Sequence, residues 1–127
     1  MPAPRLQHVL VLTDDLEGTR AFYCDSLGLE VGERPTLPFP GYWLYAECSA
    51  CVHVAEREPY DAHAASVGLP AKAAPVDHVA FEAHGYDEVL ERLRVAGVEV
   101  TTNHSAAGTQ LFFDDPNGAR IELVVSE

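Results

Sequence analysis

Residues 76–100 read VDHVAFEAHGYDEVLERLRVAGVEV, and this stretch decides the fold. Val76 to Glu82 reads as a strand. Tyr86 to Ala96 sets Val89, Leu90, Leu93 and Ala96 at helical spacing, and Gly97 ends that helix. Val98 to Thr102 then reads as a second strand. The same plan stands near the start of the chain, in LQHVLVLTDDLEGTRAFYCDSLGLEV over residues 6–31. There Leu6 to Leu12 reads as a strand, and Thr13-Asp14-Asp15 offers N-cap side chains. The helix runs through Leu16, Ala21, Phe22 and Leu27, Gly28 ends it, and Leu29 to Glu33 is the next strand. A shift of 70 residues carries His8 onto His78, and a shift of 69 carries His53 onto Glu122.

Working outward, Arg34 to Gly41 holds three prolines and reads as loop. Tyr42 to Glu47 and Cys51 to Ala55 read as strands. The segment 56–75 is a connecting stretch with a short helix near Ala62–Val67. Gln110 to Asp114 and Arg120 to Val125 complete the strands, joined by a Pro116-Asn117-Gly118 turn. The chain is therefore expected to be β-α-β-β-β twice. The fold class is α+β, with two βαβββ modules forming a cupped mixed sheet. Module one covers 4–56, a connecting arm 57–74 and module two 75–127. Each module is too small to bury a good core alone.

The 127 residues are 47 % hydrophobic and 22 % charged, as in an ordinary globular domain. Eight basic against 20 acidic residues give a net charge of −12, which argues against nucleic acid and anionic membrane as partners. The chain shows no apolar run of membrane-spanning length and no hydrophobic leader. Its three cysteines make no disulfide framework, so a reducing cytoplasm is the expected location.

Strand alternation singles out four polar side chains. His8 points away from Val9 and Val11, and His53 away from Val52 and Val54. His78 points away from Val79 and Phe81, and Glu122 away from Ile121 and Leu123. If those apolar flanks pack under helices, the four polar groups share the other face. Three imidazoles and a carboxylate make a divalent metal site, with Fe, Ni, Zn or Mn as candidates and positions left open for substrate. Taken singly, each strand histidine reads more simply as a hydrogen-bonded structural residue. Their matching places in the repeat favour the joint reading.

The stretches quoted above, with FFDDPNGARIELVV over 112–125, resemble the vicinal-oxygen-chelate superfamily over nearly the whole chain. That superfamily includes glyoxalase I, extradiol dioxygenases, fosfomycin-resistance enzymes and bleomycin-resistance proteins. The resemblance implies metal ligands at His8, His78 and Glu122. It places His53 where glyoxalase-I-like members carry a glutamate that moves the substrate proton, so His53 becomes a fourth ligand or the catalytic base. It implies a lyase, isomerase or extradiol-type dioxygenase that chelates adjacent oxygens of a small molecule, and a homodimer. The alternative is a non-catalytic binding protein of the bleomycin-resistance type. The fosfomycin branch is set aside because Asn103–Gly108 contains no lysine.

Trp43 and Tyr45 share a strand face, and together with Phe112 they are candidate substrate-binding residues. Cys48-Ser49-Ala50-Cys51 leads into a strand rather than a helix, so it reads as incidental rather than as a redox pair. His63, His84 and His104 read as surface histidines.

Overall fold

The computed structural model describes residues 6–69, 78–105 and 108–126. Its elements run β1 (Val9–Thr13), α1 (Leu16–Leu27), β2 (Glu30–Gly32), β3 (Gly41–Ala46), β4 (Ser49–Glu56), α2 (Arg57–Ser66), β5 (His78–His84), α3 (Tyr86–Val95), β6 (Thr101–Ser105), β7 (Gly108–Asp114) and β8 (Arg120–Ser126). The order is βαβββ, a linking helix, and βαβββ again. The fold is the α+β arrangement expected from the repeat. The chain divides into two compact units, Met1–Cys24 with Gly28–Lys72, and Asp25–Leu27 with Ala73–Glu127.

Each unit holds one four-stranded mixed sheet, and the two sheets share a topology. Strand order is β1-β4-β3-β2 in the first and β5-β8-β7-β6 in the second. β1 runs parallel to β4 and β5 parallel to β8, while the remaining pairs are antiparallel. In the first unit one sheet face buries Leu44, Val52 and Val54. A buried hydroxyl pair, Thr13 Oγ1 to Thr19 Oγ1 at 2.8 Å, ties β1 to α1 on that face. In the second unit Leu111, Phe113, Ile121, Leu123 and Val125 are buried, and so are Val89 and Leu93 of α3. Full burial of such a side chain is worth about 1.5–3 kcal/mol, so these residues carry the stability of each unit.

The helix starts and stops follow from local chemistry. The Asp15 side chain accepts from Gly18 N at 3.0 Å as the N-cap of α1, and Gly28 ends the helix with φ 72°. Gly97 ends α3 with φ 74°, a conformation that costs any residue bearing a Cβ. There Gly97 N donates to Arg94 O and Val98 N to Leu93 O, a Schellman pair.

That pair corrects one expectation. Val98 belongs to the helix cap, so β6 starts at Thr101 rather than Val98. β6 runs on to Ser105, where Asn103 pairs with Gln110 and Ser105 with Gly108 in a β6–β7 hairpin. β1 also starts later than expected, because pairing with β4 begins at Val9 and leaves Leu6–His8 outside the strand. The linking helix is longer than the expected Ala62–Val67. It begins directly after β4 with Pro59 in its first turn, where a missing N–H costs nothing. The expected strand start at Val76 and Asp77 lies outside the described residues. The turn between β7 and β8 is as expected, with Asp115 Oδ1 accepting from Asn117 N and Ala119 N, both at 2.8 Å.

Candidate metal centre

In the first unit, His53 sits on β4 between neighbours on both sides. Its Cα partners are Leu10 on β1 and Trp43 on β3. The His53 ring stacks on His8, with centroids 3.9 Å apart and planes 14° apart, and on Trp43 at 4.1 Å and 8°. His53 is half-buried, and its Nε2 donates to Ala50 O at 3.1 Å. This fixes the tautomer, with the lone pair on Nδ1. His8 is exposed, and its Nδ1 donates to Gln7 Oε1 at 2.9 Å, which leaves the lone pair on Nε2. Burial holds the His53 pKa below its ordinary value of 6.5, and the neighbouring His8 and Arg34 push it the same way. His53 is therefore neutral at neutral pH, as a ligand or a base must be.

In the second unit, β8 presents Glu122 opposite Ala80 on β5 and Phe112 on β7. Glu122 is only 7 % exposed. A carboxylate so buried needs donors, and it has them. His78 Nε2 donates to Oε1 at 3.0 Å, and Gln110 Nε2 donates to Oε2 at 3.0 Å. Gln110 Oε1 in turn accepts from Asn103 Nδ2 at 2.8 Å. The result is a line of polar contacts across one face, Asn103–Gln110–Glu122–His78, with the Phe112 ring edge-on to His78 at 6.2 Å.

The two pairs occupy the same register. In each unit the second group lies opposite the residue two positions beyond the first: His53 opposite Leu10, and Glu122 opposite Ala80. The donor sets suit a divalent ion. For metal–ligand distances near 2.1 Å, adjacent ligands at right angles are about 3 Å apart. His78 Nε2 and Glu122 Oε1 stand at that separation as a hydrogen-bonded pair, so an ion bound there would displace the Nε2 proton. Among the described residues, no group of three or more His, Cys, Asp or Glu side chains is gathered as a metal site.

Trp43 and Tyr45 share a face, as alternation requires. With Glu33, Arg34 and Pro35 they line a cleft of ≈ 430 Å³ in the first unit. The Tyr45 hydroxyl donates to Glu33 O at 2.6 Å. Its ring crosses Gly32, where a Cβ would lie 2.5 Å from Tyr45 Cε1, so β2 accepts no side chain at that point. Phe112 lines a separate cleft of ≈ 640 Å³ in the second unit with Thr101, Asp114 and Arg120. Of the histidines set aside, His84 and His104 are exposed, while His63 lies half-buried with its ring 5.4 Å from Phe39. Cys24, Cys48 and Cys51 form no disulfide.

Sequence reasoning missed Gln110 and Arg34. Alternation could have found Gln110, since it lies two residues from Phe112 and so shares the Glu122 face. Arg34 sits in a proline-rich loop, where no periodicity marks it.

Fold, topology and donor pairs together define a class, and the family comparison agrees with it. Residues 5–123 match the family model described as Glyoxalase/Bleomycin resistance protein/Dioxygenase superfamily, and the chain belongs to this family. It is 31 % identical over 126 residues to Glyoxylase I 4 of Arabidopsis thaliana, covering 93 % of this chain and 68 % of that protein. It is 25 % identical to the glutathione transferase FosA of Serratia marcescens, covering 94 % of this chain and 79 % of that one. Both of these relatives are enzymes by name. The crystal structure of lactoylglutathione lyase from Agrobacterium tumefaciens superposes with a TM-score of 0.70 at 21 % identity, covering 99 % of this chain and 96 % of that one. Among the described residues no helix is long and apolar enough to cross a membrane.

Proposed function

We propose that this protein is a metal-dependent enzyme of the glyoxalase/dioxygenase type, acting on a small substrate with two adjacent oxygens. By the family resemblance His8, His78 and Glu122 would hold the divalent ion, and His53 is the neutral imidazole that serves as base. The observation that carries the reading is the shared register of the two pairs, His8 with His53 and His78 with Glu122. A repeat that keeps polar groups at the same diagonal on the same face supports a function common to both.

A divalent ion bound there would act as a Lewis acid toward the paired substrate oxygens. Everything else falls to side chains of the chain. Glu122 supplies the single carboxylate of the set, oriented by the hydrogen bond from Gln110. His53 accepts the substrate proton at Nδ1, because Nε2 is held by Ala50 O. The Trp43 ring packed on His53 keeps water from that face of the base. We further propose that the protein works as a homodimer in the cytoplasm.

Metal titration by calorimetry, with melting curves in Zn, Ni, Mn and Fe(II), tests this reading. Metal binding with a gain in melting temperature, lost in His78→Ala and in Glu122→Ala, is the expected result. A wild-type chain that takes up none of these ions and gains no stability is instead the binding-protein alternative. Isomerisation of a methylglyoxal–thiol adduct, set against oxygen uptake with catechols, then separates the two enzyme branches.

A further inference from the structure

We propose that Arg34 is a specificity residue: it receives an anionic group of the substrate, a carboxylate, while the planar part of that substrate lies against Trp43 and Tyr45. This rests on the function proposed above and names its substrate class. Arg34, Trp43 and Tyr45 line the same ≈ 430 Å³ cleft, and Trp43 is stacked on His53. The cleft thus adjoins the proposed base, and a substrate in it meets an aromatic wall and a guanidinium.

Arg34, like Arg92, is held by contacts other than a carboxylate. Acidic residues outnumber basic ones 20 to 8, so most cations should find a carboxylate. Arg20 pairs with Glu17, Arg57 with Asp14 and Arg94 with Glu91. Arg34 has no carboxylate partner among the described residues. Two uncharged contacts hold it instead: Nη2 donates to Phe39 O at 2.7 Å, and the guanidinium carbon lies 5.3 Å from the Phe39 ring centroid. Phe39 is braced in turn by Tyr60 of α2, at 5.1 Å and 81°. The guanidinium is therefore positioned by the fold, with no carboxylate bonded to it, although Glu33 lines the same cleft, and with most of its planar donor fork uncommitted. That fork matches a carboxylate in geometry as well as charge. In an acidic protein that repels anions at long range, a fixed cation inside an aromatic cleft gives an anionic substrate its foothold.

The test uses the only tryptophan of the chain, Trp43, whose emission reports on the cleft. Wild-type protein is titrated with 3,4-dihydroxybenzoate and with its uncharged analogue 3,4-dihydroxybenzamide, first with excess EDTA and then loaded with Zn. Both probes carry the same adjacent hydroxyls, so their ratio reports the carboxylate. A charged hydrogen-bonded pair predicts tighter binding of the benzoate by about tenfold to hundredfold. Arg34→Met should bring the two probes level, and Arg34→Lys should keep part of the preference; melting curves check that both variants fold. Equal binding of the two probes by wild type, or a preference that survives Arg34→Met, overturns the proposal. Failure of the metal reading looks different: no Zn is bound, yet the carboxylate preference persists in EDTA. If instead Zn binds and no preference exists, the metal reading stands and the role of Arg34 falls.

Discussion

Replacing Gln110 with leucine tests the polar line on the second sheet. Glu122 is 7 % exposed and has one hydrogen-bonded partner at each oxygen, His78 at Oε1 and Gln110 at Oε2. Leucine keeps the bulk of the side chain and deletes both the donor to Glu122 and the acceptor for the exposed Asn103. A hydrogen bond to a charged group is worth about 1.5–3 kcal/mol, and a carboxylate this buried recovers little of it from water. At about 4 °C per kcal/mol for a chain of this size, Gln110→Leu should melt roughly 6–12 °C below wild type. If Glu122 is a metal ligand, loss of the residue that orients it should weaken Zn binding by about tenfold to hundredfold. Asn103→Ala is the control: it removes the outer, exposed member of the line and should cost less than about 0.5 kcal/mol. Melting by circular dichroism and calorimetric Zn titration read both effects. A Gln110→Leu protein that melts within about 1 °C of wild type would refute the assignment of Gln110 as the support of Glu122.

Three further outcomes are expected. Asp115→Ala removes the acceptor of two backbone hydrogen bonds in the β7–β8 turn and should cost about 2–4 kcal/mol in urea unfolding, whereas Asp115→Asn, which keeps an oxygen there, should cost clearly less. The His53 ring, followed by NMR, should titrate below 6.5, and His8→Ala should raise that value by removing a neighbouring positive charge. Because the folded pKa is depressed, protonation opposes folding: the His53 contribution to stability is complete above 6.5 and is lost as pH falls through the folded pKa. Gly32→Ala should destabilise by about 1–3 kcal/mol, since the new methyl would collide with the Tyr45 ring; an unchanged melting temperature would mean that Tyr45 moves aside freely.

The repeat is the strongest signal in the sequence, because the helix of each module ends at a glycine in a left-handed conformation and β5 alternates cleanly. Gly28, Gly97 and the β5 alternation from His78 to His84 could be read at once. The start of β6 could not, because a valine in a Schellman cap has the same strand-like character as one in a sheet. Within the candidate site, alternation gave the faces of His53, Trp43, Tyr45 and Glu122. It could not give the stacking of His8, His53 and Trp43, since ring orientation is set by rotamers and cross-strand neighbours. Nor could it give Arg34, whose position comes from contacts to Phe39 five residues further on in the same loop.

The late start of β6 bears on how the chain behaves in crowded solution. β6 is an edge of its sheet, and its residues Thr101, Thr102, Asn103 and His104 are polar and exposed. Natural edge strands are often guarded by lysine against pairing with a second molecule. This chain has few cations to spare and uses hydrogen-bonding polar side chains there instead, backed by the mutual repulsion of molecules carrying a net charge of −12. That defence depends on ionised carboxylates, so mild acid removes the repulsion and leaves the β6 edge to work alone. Self-association should accordingly rise as the carboxylates protonate, before the sheets themselves unfold.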